Sequence, residues 1–339
     1  ETTYTVTRTT SWTSLGQSGD ACSGGLGIGV AYQRISVAVT WARMNNIPPV
    51  TSDTVVTPPG GQLSPNSITL PVKVVDRNGD AVSDQNVTIS PVGGGSSQSQ
   101  VTDATGCALF AQLTPGLYNV SLDSTGYVDW QGVQGHTQTA GQTAPGTVPV
   151  VSIPYDLPGA IVLTVSAVAG FPAPLNPISY TAFHTKWNSP GLRTIAGVGP
   201  TSAATLSPAF PFTSDVYNAW AGTCTDSKPA SPLVGLVTPG GSSTITPALA
   251  PAYVKFQTVG GTTIKLATVT ARDTTNGCTD TFILSGLTDA SGRLKFSLPY
   301  GSWQFKLTLG GVTYNNSAPA INLSQATTTP GGTTTVVMW

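Results

Sequence analysis

The chain has 339 residues, a net charge of −1 and only 9% charged residues, against ~25% in an ordinary soluble domain. Its length calls for several hydrophobic cores, and its scattered charges give no grip to a phosphate backbone or an anionic membrane, so neither nucleic acid nor a membrane surface is an expected partner. Glu1 is the only glutamate; long helices draw on Glu, Lys, Ala and Leu, so a mostly β chain is expected.

Two alternating runs open the chain, YTVTRTTSW from Tyr4 and YQRISVAVTW from Tyr32, joined by the glycine-rich LGQSGDACSGGLGIG. Period-two alternation of Thr, Val, Ile, Tyr and Trp marks strands, and the glycines mark a long hairpin loop that carries Cys22. So few strands close no core, and 1–58 is expected to be the end of a domain whose beginning lies outside the sequence. TPPGGQLSPNS, 57–67, is a linker. Beyond it ITLPVKVVDRNGDAVSDQNVTISPV predicts a strand, a turn at Asp76–Asp80 and a second strand; further strands run to TVPVVSIPYD, giving a sandwich over 66–157.

A third unit, 158–228, holds AIVLTVSAV, ISYTAFHT and FPFTSDVYNAWAGTC. The loose KPASPLVGLVTPGGSSTITPALAP, 228–251, reads as a linker to a last unit, 252–339. That unit repeats the order of the second: TDATGCALFAQLTPGLY returns as TDASGRLKFSLPYGSW. In each copy Asp103 or Asp289 can bond backbone N–H groups of a turn, and Gly106 or Gly292 can take a positive φ. The pattern holds no nucleophile, base or ligand set, so its recurrence marks architecture.

Four cysteines, Cys22, Cys107, Cys224 and Cys278, are far apart and form no CxxC pair, which favours disulfides in an exported protein over a metal site. If Phe110 faces the core, Cys107 points to the opposite side of its strand. Three connectivities are open; Cys22–Cys107 with Cys224–Cys278 is favoured because Cys22 is the nearest candidate for Cys107.

The chain is expected to be non-enzymatic, without cofactor or metal. Its two histidines, His136 and His184, sit in no catalytic motif, and most aspartates belong to turns. Asp76–Asp80 lacks the calcium-loop spacing and its closing Glu. The aromatics Tyr127 with Trp130 and Phe183 with Trp187 are candidates to contact a ligand such as a sugar face, against the commoner role of covering sandwich ends.

VKVVDRNGDAVSDQNVTI followed by TDATGCALFAQLTPGLYNVSL resembles the prealbumin-like fold of carboxypeptidase regulatory-like and Cna-B-type domains. The longer set, which adds YTVTRTTSW, YQRISVAVTW, VSIPYD, FPFTSDVYNAWAGTC and LTDASGRLKFSLPYGSW, resembles the ectodomain of an actinobacterial type IV minor pilin, PilV-like. The resemblance implies an all-β chain of tandem prealbumin-like or Ig-like sandwiches behind an N-terminal pilin-like β-sheet segment whose apolar helix is not in the sequence. It also implies an extracellular place on a pilus, other pilin subunits as partners and glycans or proteins as adhesion targets. Lys73 and Lys255 occupy first-strand positions where Cna-B-type domains carry isopeptide lysines, but without the usual Glu. The alternative is a carbohydrate-binding or adhesive sandwich module of a secreted or wall-associated protein unrelated to pili.

Overall fold

The computed structural model describes residues 2–14, 22, 31–42, 44, 47–57, 66–147, 149–223, 228–275, 278, 280–316, 321–324 and 332–339. No helix occurs among them; the regular structure is all strand. The chain divides into two compact units, Glu1–Pro158 and Gly159–Trp339.

The first unit opens with β1 (Tyr4–Ser14), β2 (Ala31–Trp41) and β3 (Val50–Val56), an antiparallel sheet in that order. There follow β4 (Ile68–Val75), β5 (Asn86–Pro91), β6 (Gln98–Val101), β7 (Cys107–Leu113), β8 (Gly116–Asp123), β9 (Val128–Asp129), β10 (Gly135–Gln142), β11 (Gly146–Thr147) and β12 (Val151–Asp156). They form a sandwich: one layer runs β10-β8-β5-β6, and in the other β4 pairs with β7, β11 and β12. Its core packs Ile68, Leu70, Val72 and Val74 of β4 against Val87, Ile89, Val120 and Leu122 of the facing layer. All eight are at most 1% exposed, as alternating β-branched and Leu residues require of an inward sheet face.

The second unit contains two more sandwiches. The first of these has β13 (Gly159–Leu163), β14 (Tyr180–Phe183), β15 (Leu192–Ile195), β16 (Ala204–Ala209), β17 (Tyr217–Ala221), β18 (Leu233–Gly235) and β19 (Ser242–Ile245). The next has β20 (Ala250–Thr258), β21 (Thr268–Asp273), β22 (Thr281–Ile283), β23 (Arg293–Leu298), β24 (Gly301–Leu309), β25 (Val312–Asn315), β26 (Ile321–Leu323) and β27 (Thr334–Met338). The stretch read as a linker therefore supplies β18 and β19, and β19 lies parallel to β13 as an integral strand. Its Pro and Gly residues interrupt the alternation, so only three or four residues of each strand show.

One wiring scheme serves all three sandwiches. The first strand of each, β4, β13 or β20, pairs antiparallel with β7, β16 or β23 and parallel with the last strand, β12, β19 or β27. The opposite layers correspond as β10-β8-β5-β6, β18-β17-β14-β15 and β25-β24-β21-β22. The sequence displays the repeat twice because only the outer two copies keep the TDATG or TDASG turn.

Those two turns share the same backbone bonds. Asp103 Oδ1 accepts from Thr105 N at 2.9 Å and Cys107 N at 3.0 Å; Asp289 Oδ1 accepts from Ser291 N at 2.7 Å and Arg293 N at 2.8 Å. The glycine oxygen then receives the first strand, Val74 N to Gly106 O and Phe256 N to Gly292 O, both at 2.8 Å. With φ of +75° and +69°, each glycine lies against that strand: a Cβ would fall 2.5 Å from Val74 O or 2.8 Å from Phe256 O. Glycine is required there both by the left-handed backbone and by the close approach.

Within the second unit the two sandwiches are joined by hydrogen bonds as well as by shared core. Ser297 donates its N–H to Pro172 O and its hydroxyl to Phe171 O, both at 2.8 Å, while the Asp280 carboxylate accepts from Thr223 N and Oγ1. Ile178 and Ala221 belong to the same buried cluster as Phe256, Phe296 and Trp303.

Candidate functional site

The register of β1, β2 and β3 sorts their side chains onto two unlike faces. Tyr4, Val6, Arg8, Thr10 and Trp12 pair with Trp41, Val39, Val37, Ile35 and Gln33, and the last four of these pair in turn with Val50, Ser52, Thr54 and Val56. This face is predominantly apolar. The other is mostly polar, carrying Thr5, Thr7, Thr9, Ser11 and Thr13 beside Arg34, Ser36, Thr40, Thr51 and Asp53, with Tyr32, Ala38 and Val55 among them. There Arg34 pairs with Asp53 at 3.0 Å, and the Ser36 hydroxyl and then the guanidinium hold that carboxyl below its ordinary range.

An apolar sheet face normally lies under another layer, yet here, away from its Trp12 end, nothing among the described residues covers it. Val6 is 64% exposed, Val50 58% and Val56 49%, and Tyr4, whose ring lies 6.0 Å from that of Trp41, is 61% exposed. Ile35, Val37 and Val39 are only half-buried. The signal was legible in YTVTRTTSW and YQRISVAVTW, whose alternation fixes the apolar parity; the missing cover was not, because alternation reports which side is apolar and not what lies upon it.

One end of this sheet is fastened to the sandwich. Cys22 and Cys107 form a disulfide with Cα atoms 5.8 Å apart. Trp12 packs against a small buried cluster of Cys22, Cys107 and Leu109 and donates its backbone N–H to Asp103 Oδ2 at 2.8 Å, and Thr10 O accepts from Ala104 N at 3.2 Å. Cys107 does lie opposite the Phe110 side of β7, but that side is no open surface. Cys107, Ala108, Leu109 and Phe110 are all at most 1% exposed, because the Trp12 end of the sheet covers the second face. Cys278 is also disulfide-bonded; Cys224 lies outside the described residues.

The four candidate ligand aromatics are engaged within the protein. Tyr127 stacks on Tyr155 at 5.7 Å, and Trp130 lies 4.7 Å from the His136 ring. Trp187 is 6% exposed with the Arg193 guanidinium 4.0 Å from its ring centre, and Phe183 has Lys228 Nζ at 5.1 Å. The first pair belongs to one compact unit and the second to the other.

Neither histidine presents a nitrogen to a substrate. His136 Nδ1 meets Asp129 Oδ2 at 3.0 Å, both side chains are 6% exposed, and Nε2 is enclosed. His184 is wholly buried, stacked 3.8 Å from Phe212 and beside Tyr217 and Trp187. Its Nδ1 accepts from Lys186 N at 3.1 Å, and burial holds its pKa below the ordinary value. Asp76 Oδ1 receives Asn78 N at 2.7 Å and Asp80 N at 2.9 Å, a closed turn. No group of three or more metal-ligating side chains occurs among the described residues.

No protein-family model matches the chain, and no curated protein does. Among solved structures it is similar to the Bacillus anthracis TIE protein, at 12% identity over 100% of this chain and 68% of that one, with a TM-score of 0.25. It is similar also to the minor pilin of Streptococcus agalactiae, at 11% identity over 54% of this chain and 95% of that one, TM-score 0.27. A third is the major pilin subunit of Bacillus cereus, at 13% identity over 80% and 98% of the two chains, TM-score 0.23. At TM-scores this low none of them carries an argument; the all-β architecture of tandem sandwiches stands on the strands and their pairing.

Proposed function

We propose that this chain is a non-enzymatic, extracellular structural subunit, a minor pilin of a type IV pilus, whose prealbumin-like sandwiches stand out from the filament as spacers. The observation that carries the reading is the uncovered apolar face of β1, β2 and β3. Short of the end that meets the sandwich, the face runs over Tyr4–Thr7 of β1 and Val37–Trp41 of β2; at about 3.3 Å per residue and about 4.8 Å between strands it measures roughly 16 Å by 14 Å. An α-helix is about 10–12 Å wide and rises 1.5 Å per residue, so about 11 residues of one helix would cover it. A pilin helix is the occupant that matches this outline, and the opposite Thr/Ser face is suited to remain in water.

The test is electron microscopy of labelled filaments from cells carrying altered chains. Val37→Asp with Val39→Asp places two carboxylates on the apolar face, and Thr40→Asp places one on the polar face. The double variant is expected to leave filaments unlabelled while melting like the native chain, since no core residue of a sandwich is touched; Thr40→Asp is expected to label normally. Labelling that survives the double variant removes the helix from the reading, and native chain absent from filaments removes the pilus.

A further inference from the structure

Where the apolar face reaches the sandwich its character changes, and a cleft of about 470 Å³ opens between the two. This lies within the ~300–1,000 Å³ range of small-ligand sites. β1 and β2 contribute Arg8, Trp12 and Gln33 from one face; the sandwich contributes Asp84, Gln100 and Thr102. The side chains of Arg8, Gln33 and Gln100 have no hydrogen-bond or ion-pair partner among the described residues, and Arg8 and Asp84 do not pair with each other although both line the cleft. Asp84 takes only a hydroxyl from Ser83, at 2.9 Å, and holds a left-handed φ of +60° beside the cleft.

From this arrangement we infer that the cleft between β1–β2 and the β6 edge binds a neutral oligosaccharide. Sugar hydroxyls both donate and accept, and carboxamides are the side chains that offer both functions from one planar group. Two of them stand here without partners. A carboxylate adds paired acceptors and a guanidinium paired donors, and together they leave the cleft with no net charge, which disfavours phosphates and anionic chains. Trp12 supplies the apolar surface for the C–H face of a ring. The ring is held from behind by the Cys22–Cys107 cluster, and the Trp12 backbone N–H is fixed by Asp103, so the wall is ordered before a ligand arrives. The inference does not rest on filament membership, and a secreted chain outside any pilus would bind in the same way.

The purified full chain is tested on an array of neutral glycans and by titration calorimetry with maltotetraose, cellotetraose and tetra-N-acetylchitotetraose. Binding with a Kd below about 1 mM is expected for at least one array class, and Gln33→Ala and Gln100→Ala should each weaken it about tenfold, the loss of one or two hydrogen bonds. Trp12→Ala also strips the cover from the disulfide, so the two glutamine variants, with unchanged melting temperatures, carry the test. Absence of binding to every neutral glycan, binding indifferent to both glutamine variants, or binding confined to anionic glycans and abolished by Arg8→Gln alone would each overturn the inference. None of these outcomes bears on filament labelling, so the two readings fail separately.

Discussion

Gly106 shows how much one residue can fix in this fold. Its carbonyl receives Val74 N, its φ is +75°, and an added Cβ would sit 2.5 Å from one backbone oxygen and 3.1 Å from Val82 N. Gly126 shares the conformation, φ +85°, but has nothing within 4 Å. Gly126→Ala should therefore cost only the left-handed strain, about 1–2 kcal/mol. Gly106→Ala adds a collision between backbones that cannot yield, and should cost about 2 kcal/mol more, read as the difference in urea midpoints of the two variants. Equal losses would mean that the turn gives way without the strand. The need for glycine was legible in TDATG and TDASG, since an Asx turn closing on Gly is local chemistry. The depth of the burial was not, because Val74 and Val82 approach from another strand and its turn.

At the scale of elements, alternation identified β1, β2, β4 and β5, whose apolar faces repeat every second residue. It passed over β18 and β19, which keep three and four residues between Pro and Gly and are strands because β17 and β13 pair with them. The middle sandwich hid its kinship for a similar reason: the Asp-Gly turn of its relatives is replaced by a segment in which Ser202, at φ +51°, accepts the Tyr180 hydroxyl at 2.6 Å and holds Ile178 N at 2.9 Å. Parity placed Cys107 on the far face of β7 but could not show that Trp12 seals it. The bond to Cys22 spans 85 residues, and losing so long a cross-link should destabilise the first unit by about 4–5 kcal/mol. Cys107→Ser should accordingly lower the melting transition of that unit while leaving the transition of the second unit in place, as calorimetry would show. A single transition shifted as a whole would contradict the division into two units.

For the whole molecule, few charges and a single glutamate announced an all-β chain, and the three sandwiches answer to that description. The candidate site was half legible. The apolar alternation of the first two strands could be read directly, but an uncovered face and a polar cleft at its end arise from what neighbouring elements do and do not occupy. The proposed role requires that face to seat a pilin helix. Its most direct test is a photo-crosslinking amino acid placed at Val37 in cells that assemble filaments, followed by mass spectrometry of the joined peptides. A crosslink to an apolar helical segment of a pilin subunit is expected, lost when the same group is moved to Thr40 on the opposite face. Crosslinks from Thr40 as strong as those from Val37, or a chain recovered only free of filaments, would contradict it.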